Sequence, residues 1–301
     1  MKLKGILPVL HTTFDGDRNL DLKSLKKLVD FLVTKEIAGL WVLGTGAEDM
    51  NLTLEQRAEV AKTVIEANNN RKPLVVGASF FCEEDSVRFI EFLNQFELYG
   101  IHYMPYHPLI SLNQLAEIYK RLAKYSKNPL WVYTSANWCQ HIPPDFIKKL
   151  KSIPNIAGVK YSTSNSAHIT SVAQLADENF NVISAVAATL LPSLAVGVDG
   201  ATSSLAGAIP EVLIDIYKAY VNGDWVDALS KQRKLNMFME KWPKELAKDN
   251  FLKGAEEKTI LEIRGITQRN MSSYYRSASE MEKNEISRLL DEYYPDLIRS
   301  T

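Results

Sequence analysis

Two apolar stretches end in residues that burial ordinarily excludes. "LWVYTSAN" runs to Tyr133, and "NIAGVKYSTSN" runs to Lys160. A lysine at the end of a buried strand is costly unless it has a partner or a task. Desolvation lowers the pKa of an amine, and a free amine attacks a carbonyl to form a Schiff base. A tyrosine on the adjacent strand could carry protons to and from the carbon involved. The plainer account is that Lys160 snorkels to solvent and Tyr133 is an amphipathic rim residue. Spacing alone does not separate the two.

Other polar residues follow apolar runs. "GTGAED", 44–49, supplies Gly44, Thr45, Gly46 and Ala47, and "PYHP", 105–108, supplies Tyr106 and His107. Thr202 and Ser203 close a later run, and Ser162 stands two positions after Lys160. The glycine pair around Thr45 could equally cradle a phosphate, but it lacks the lysine of a P-loop. Histidines 11, 102, 107, 141 and 168 are scattered without zinc-ligand spacing, so no metal is expected. Cys139 has no evident histidine partner and reads as incidental rather than nucleophilic.

Positioning such groups takes a scaffold. Strand candidates are 5–10, 39–43, 74–78, 100–104, 130–133, 156–160, 182–186 and 198–203. Their apolar character is continuous rather than alternating, which means burial on both faces and a parallel sheet. Segments such as "DLKSLKKLVDFLVTKE" and "LNQLAEIYKRLAKYS" lie between them, apolar at three- and four-residue intervals. Eight strands alternating with helices is the count of a (β/α)8 TIM barrel, whose chemistry sits at the carboxyl ends of its strands. A doubly wound sheet is the runner-up, but no G-x-G-x-x-G follows the first strand. Strand signals stop near residue 209. Helices are expected at 210–222, 225–241, 253–264 and 281–294, giving a barrel core over 1–209 and a C-terminal helical appendage over 210–301.

Bulk properties exclude several classes. Of 301 residues, 46% are hydrophobic and 24% charged, which suits a chain with a large core. Lys+Arg at 35 against Asp+Glu at 36 gives no bulk attraction to nucleic acid or anionic membrane. The uncharged run from Val182 to Val198 is short for a bilayer and holds Pro192 and Gly197, so a buried strand and helix explain it better. The N-terminus lacks the long apolar region of a signal peptide. Two cysteines, Cys82 and Cys139, build no disulfide framework and fit a reducing, cytoplasmic setting.

The chain resembles the N-acetylneuraminate lyase / dihydrodipicolinate synthase family of class I pyruvate-dependent aldolases. "GILPVLHTTFD" is similar to the family's opening strand, "LGTGAEDMNLT" to its glycine-rich segment, and "LWVYTSAN" to its Y-N-x-P strand. "GVKYS" is similar to the segment that carries the Schiff-base lysine, and "RGITQRNMSSYYRSASEMEKNEISRLLDEY" to the closing loop and helix. The resemblance implies a (β/α)8 barrel and a homotetramer built as a dimer of dimers. It implies imine formation on Lys160 with a 2-oxo acid, usually pyruvate, with no cofactor. It assigns Tyr133 the general acid/base role and Thr45 a share in proton transfer. Tyr106 or His107 falls where some relatives reach a tyrosine across a dimer interface.

The departures bear on the second substrate. The family's second loop hydroxyl is replaced by Gly46 and its glycine by Ala47. The lost hydroxyl forgoes about 1.5–3 kcal/mol of hydrogen bonding to a carboxylate, unless backbone N–H groups of 44–47, Thr202 or Ser203 compensate. Thr134 and Ala136 replace the Asn and Pro after Tyr133, and Trp138 stands where dihydrodipicolinate synthases carry an arginine. Ala187 and Ala188 lie where sialic-acid lyases hold sugar hydroxyls with carboxylates. These changes argue against aspartate semialdehyde and against a typical sialic-acid sugar, and for an aldehyde with an apolar or lightly substituted body. Two alternatives stand beside a lyase: a Schiff-base dehydratase of a deoxy-oxo sugar acid, and a non-catalytic binding protein on the same barrel.

Overall fold

The computed structural model describes residues 2–135, 138–250 and 254–299. Eight parallel strands form a (β/α)8 barrel: β1 Gly5–Pro8, β2 Leu40–Val42, β3 Leu74–Gly77, β4 Gly100–Tyr103, β5 Leu130–Ser135, β6 Ile156–Ser162, β7 Asn181–Ser184 and β8 Gly200–Ser203. Their order in the sheet is β1-β8-β7-β6-β5-β4-β3-β2, which is sequence order around a ring. Every strand lies within or against its expected segment, and β5 and β6 each continue two residues further, past Tyr133 and Lys160.

The helices are α1 Leu22–Val33, α2 Leu54–Asn68, α3 Glu83–Leu93, α4 Leu112–Tyr125, α5 Pro144–Lys151, α6 Ser166–Ala173 and α7 Leu190–Ala195. They continue as α8 Ser204–Ala208, α9 Pro210–Val221, α10 Trp225–Glu240, α11 Lys244–Asp249, α12 Gly254–Ile263, α13 Glu280–Tyr293 and α14 Asp296–Arg299. The expected start of a helix at 253 falls outside the described residues. Local chemistry sets the starts. Asp21 and Ser111 cap α1 and α4 by accepting from the backbone N–H three residues on. Reciprocal capping boxes, Thr53 with Gln56 and Ser279 with Glu282, open α2 and α13. Val182 to Val198 divides between β7 and α7. Among the described residues no helix is long and apolar enough to cross a membrane.

The chain forms two compact units. The first comprises Met1–Leu7, Ala38–Trp41 and Pro73–Thr202, and the second Pro8–Ile37, Val42–Lys72 and Ser203–Thr301. In the first, β3 to β7 pair in parallel register, with one irregularity: Leu130 faces Ile156, but Trp131 faces Gly158. Ala157 is the extra residue, a bulge on β6. Beyond it the register is regular and sets Tyr133 directly beside Lys160. The second unit packs α1 and α2 with the helices from α8 onward. Its core includes Leu25, Leu28, Val60, Val64, Leu213, Leu235, Phe238 and Leu289.

Candidate active site

Lys160 is 4% exposed and Tyr133 3%, on neighbouring strands of the first unit. The lysine Nζ stands 4.0 Å from the centroid of the Tyr133 ring and 4.9 Å from that of Trp41. A lysine that merely snorkelled would carry its nitrogen to solvent. This one folds back onto aromatic faces, so the rim account given to the pair does not describe their geometry. Contact between β6 and β2, which are not neighbours in the sheet, is made through the barrel interior.

Beneath the pair lies an aromatic column that the strand patterns did not reveal. Trp41 stacks on His102 at 4.3 Å with rings 12° from parallel, and both are fully buried. Tyr133 meets Trp41 and His102 edge-on at 5.8 and 5.5 Å. Trp131 meets Trp41 at 6.1 Å, and Tyr99 meets Trp131 at 6.0 Å. The indole of Trp131 occupies the space beside two glycines. A Cβ on Gly100 would lie 2.6 Å from it, and one on Gly158 2.8 Å. The available signal was a repeated aromatic at alternate positions of short strands: Trp41, His102, Trp131 and Tyr133. Reading each run as simply apolar concealed it.

The glycine-rich segment belongs to the second unit. Gly44 is extended, and Thr45–Ala47 forms a single 3-10 turn. Leu43 and Glu48 flank it with φ of 54° and 59°, a left-handed conformation that costs a non-glycine residue about 1–3 kcal/mol. Surrounding bonds hold the turn in place: the Thr12 hydroxyl donates to the Ala47 carbonyl at 2.6 Å. A Cβ on Gly46 would come 3.2 Å from that of Ser204, whose hydroxyl donates to Glu257 at 2.8 Å. The hydroxyl residue missing at 46 thus has a crowding neighbour at 204.

Buried charge supports this turn from behind. Glu48 pairs with Lys258, both at about 1% exposure, and also accepts from the Ser272 backbone N–H at 3.0 Å. Burial holds the Lys258 amine below its ordinary pKa, and Glu48 opposes that shift. His11 is wholly buried, with Nε2 at 2.9 Å from the Ser204 carbonyl. Burial, reinforced by the nearby Lys258 charge, lowers its pKa to about 4. Asp49 and Arg57 form a second buried pair at 3.6 Å. Apart from His11, weighed only as one of five scattered histidines, none of these residues was singled out from the sequence, because partners such as Glu48 and Lys258 lie 210 positions apart.

The remaining candidates distribute as follows. Tyr106 is buried after β4, and the half-buried His107 ring lies 4.8 Å from Phe81. Thr202 is buried at the end of β8, and its Oγ1 has no hydrogen-bond partner among the described residues. Ser203 is committed elsewhere: its Oγ accepts from the Leu205 N–H and caps α8. Ser162 ends β6, half-buried. Trp138 is half-buried just past β5, its N–H donating to the Ser135 carbonyl at 3.0 Å. Ala187 and Ala188 sit half-buried in the 3-10 turn after β7. Ala136 lies outside the described residues. Cys139 donates to the Ser135 carbonyl at 3.3 Å, and burial raises its thiol pKa, which suits a structural thiol.

The model of the Dihydrodipicolinate synthetase family matches residues 2–293. The chain is 28% identical over 236 residues to a 4-hydroxy-tetrahydrodipicolinate synthase of Methanosphaerula palustris, covering 77% of this chain and 81% of that one. It is 27% identical over 240 residues to the probable 2-dehydro-3-deoxy-D-pentonate aldolase YjhH of Escherichia coli K12, covering 78% and 80%. Among solved structures it is similar to YagE of Escherichia coli K12, a prophage protein of the dihydrodipicolinic acid synthase family crystallised with pyruvate. That likeness has a TM-score of 0.88 at 24% identity, covering 96% of this chain and 98% of that one. With the whole barrel and the helices through α13 matched, the chain belongs to the dihydrodipicolinate synthetase family.

Proposed function

We propose that the chain is a class I lyase that cleaves or makes a 2-oxo acid through an imine on Lys160, with pyruvate as the 2-oxo acid. One observation carries the reading: the Lys160 nitrogen, buried, rests 4.0 Å over the ring of its in-register neighbour Tyr133. Membership of a family that includes aldolases of sugar acids supports it. In the cleavage direction the amine adds to the C2 carbonyl and water leaves, giving a protonated C=N bond. The C3–C4 electron pair then moves toward that nitrogen, leaving an enamine, while the C4 hydroxyl proton departs and an aldehyde is released. Protonation of C3 and addition of water to the imine return the amine and pyruvate. Tyr133 is the acid/base for the C4 proton, and Thr45 is carried over from the family motif as the hydroxyl that hands it on.

For the aldehyde, Trp138, Ala187 and Ala188 offer no charge, which favours a partner with an apolar or lightly substituted body over aspartate semialdehyde or a sialic-acid sugar. The proposal includes a cytoplasmic homotetramer and no cofactor. The test is intact-protein mass spectrometry after incubation with pyruvate and borohydride, with Lys160→Ala as control. A gain of one reduced pyruvate per chain, absent in the variant, is the expected result. No gain would refute imine formation with pyruvate and favour a binding protein on the same barrel. Product analysis with a hydroxylated 2-oxo acid then separates C–C cleavage from loss of water.

A further inference from the structure

The nitrogen of Lys160 touches two ring faces, not one. Trp41 and Tyr133 stand 85° apart, and Nζ lies within cation–π range of both, at 4.9 and 4.0 Å. Trp41 is fully buried, yet its Nε1 has no hydrogen-bond partner among the described residues. A tryptophan whose N–H is left unmatched is costly as a polar group. What it contributes here is its π face. His102 lies against both, stacked 12° from parallel on Trp41 and edge-on to Tyr133.

We infer that Trp41 and Tyr133 form a cation-holding corner for the Lys160 nitrogen, and that Trp41 is a catalytic residue through it. The corner stabilises positive charge on that nitrogen as the ammonium. Resting on the imine reading above, it also stabilises the protonated imine, where the cation draws electrons from the breaking C–C bond. His102 is a positioning residue that acts through Trp41. The corner opposes the effect of burial, so it retains the charge that the imine needs on a buried nitrogen.

The test has two arms. The first needs no substrate: 13Cε-lysine NMR, with the Lys160 signal identified by its loss in Lys160→Ala. The titration midpoint of Trp41→Leu is expected below that of the unaltered protein, its protonation constant reduced roughly 3- to 10-fold. Biosynthetic replacement with mono- and trifluorotryptophan, which weakens the π face while keeping its shape, is expected to shift the midpoint in the same direction, stepwise. This arm decides the question even if the leucine variant does not fold. A midpoint that stays or rises, or that ignores fluorination, overturns the corner. The second arm measures cyanoborohydride trapping at saturating pyruvate, where the trapping rate in the variant is expected to fall about 3- to 10-fold. No adduct in the unaltered protein refutes the imine reading and the catalytic role with it, while the first arm still decides whether the corner exists. An adduct formed at equal rates in all forms overturns the catalytic role alone.

Discussion

Trp131 occupies the volume that a side chain on Gly158 would need. A Cβ there would sit 2.8–2.9 Å from three atoms of the indole, and the indole is also hemmed in by Gly100. Gly158→Ala is therefore expected to cost about 1–3 kcal/mol by overpacking, measured as a fall in the urea midpoint. Because Gly158 lies two residues before Lys160 on one strand, imine trapping should fall with it. Adding Trp131→Phe should recover part of the stability. If the two losses simply add, the proposed clash is wrong.

Glu48 and Lys258 form a pair that neither residue survives alone. Lys258→Met leaves a buried carboxylate uncompensated and is expected to destabilise by about 3–5 kcal/mol. Glu48→Gln combined with Lys258→Met should recover most of that. Denaturant unfolding of the four proteins in the cycle measures the coupling, and a coupling near zero would contradict the buried geometry.

His11 predicts an acid limb in stability. Its folded pKa of about 4 lies below the ordinary 6.5, so between those values the unfolded chain binds a proton that the native state does not. Stability from this group is complete above about pH 6.5, declines as pH falls toward 4, and declines no further below. The loss amounts to about 3 kcal/mol over the window. His11→Gln should flatten that part of a pH-stability curve. An unchanged slope between pH 6 and 4 would show that His11 is protonated in the native state.

Gly46 and Ser204 make a reciprocal prediction. Gly46→Ser reinstates a hydroxyl in the turn but crowds Ser204 at 3.2 Å, so alone it should destabilise by about 1–3 kcal/mol. Gly46→Ser with Ser204→Gly relieves the crowding but takes from Glu257 the hydroxyl it accepts from. The pair should therefore recover only part of the stability while lowering the KM for the 2-oxo acid roughly tenfold, the value of one hydrogen bond to a carboxylate. Steady-state kinetics on a substrate found by screening would decide. An unchanged KM in a well-folded double variant would mean that the turn does not hold the carboxylate.

The barrel was legible because its strands are short, apolar and separated by periodic helices, so existence and order could be read while ends could not. β1 stops at Pro8 rather than at residue 10, and α11 went unnoticed because six residues with one buried leucine carry little periodicity. The adjacency of Tyr133 and Lys160 was legible because consecutive strands of a parallel barrel are neighbours. What the rings of Trp41 and His102 do beneath them was not, since it depends on alternation within strands of three and four residues. The commitment of Ser203 to a helix cap, and the loss of room at Gly46, are facts of packing that no spacing announces.

The bulge at Ala157 decides which residue of β6 stands beside Tyr133. Had the ladder continued without interruption from Leu130 opposite Ile156, counting forward would have set Val159 beside Tyr133. Side chains alternate along a strand, so Lys160 would then have pointed outward into the helical layer. One additional peptide unit therefore acts as a parity bit: an even or odd count between Ile156 and Lys160 determines whether the amine lies inside or outside the barrel. A residue gained or lost between Ile156 and Lys160 would therefore turn the amine from one face of the strand to the other in a single event. Changes in the loops beyond Ser135 and Ser162 leave that parity, and with it the seat of the nitrogen, intact.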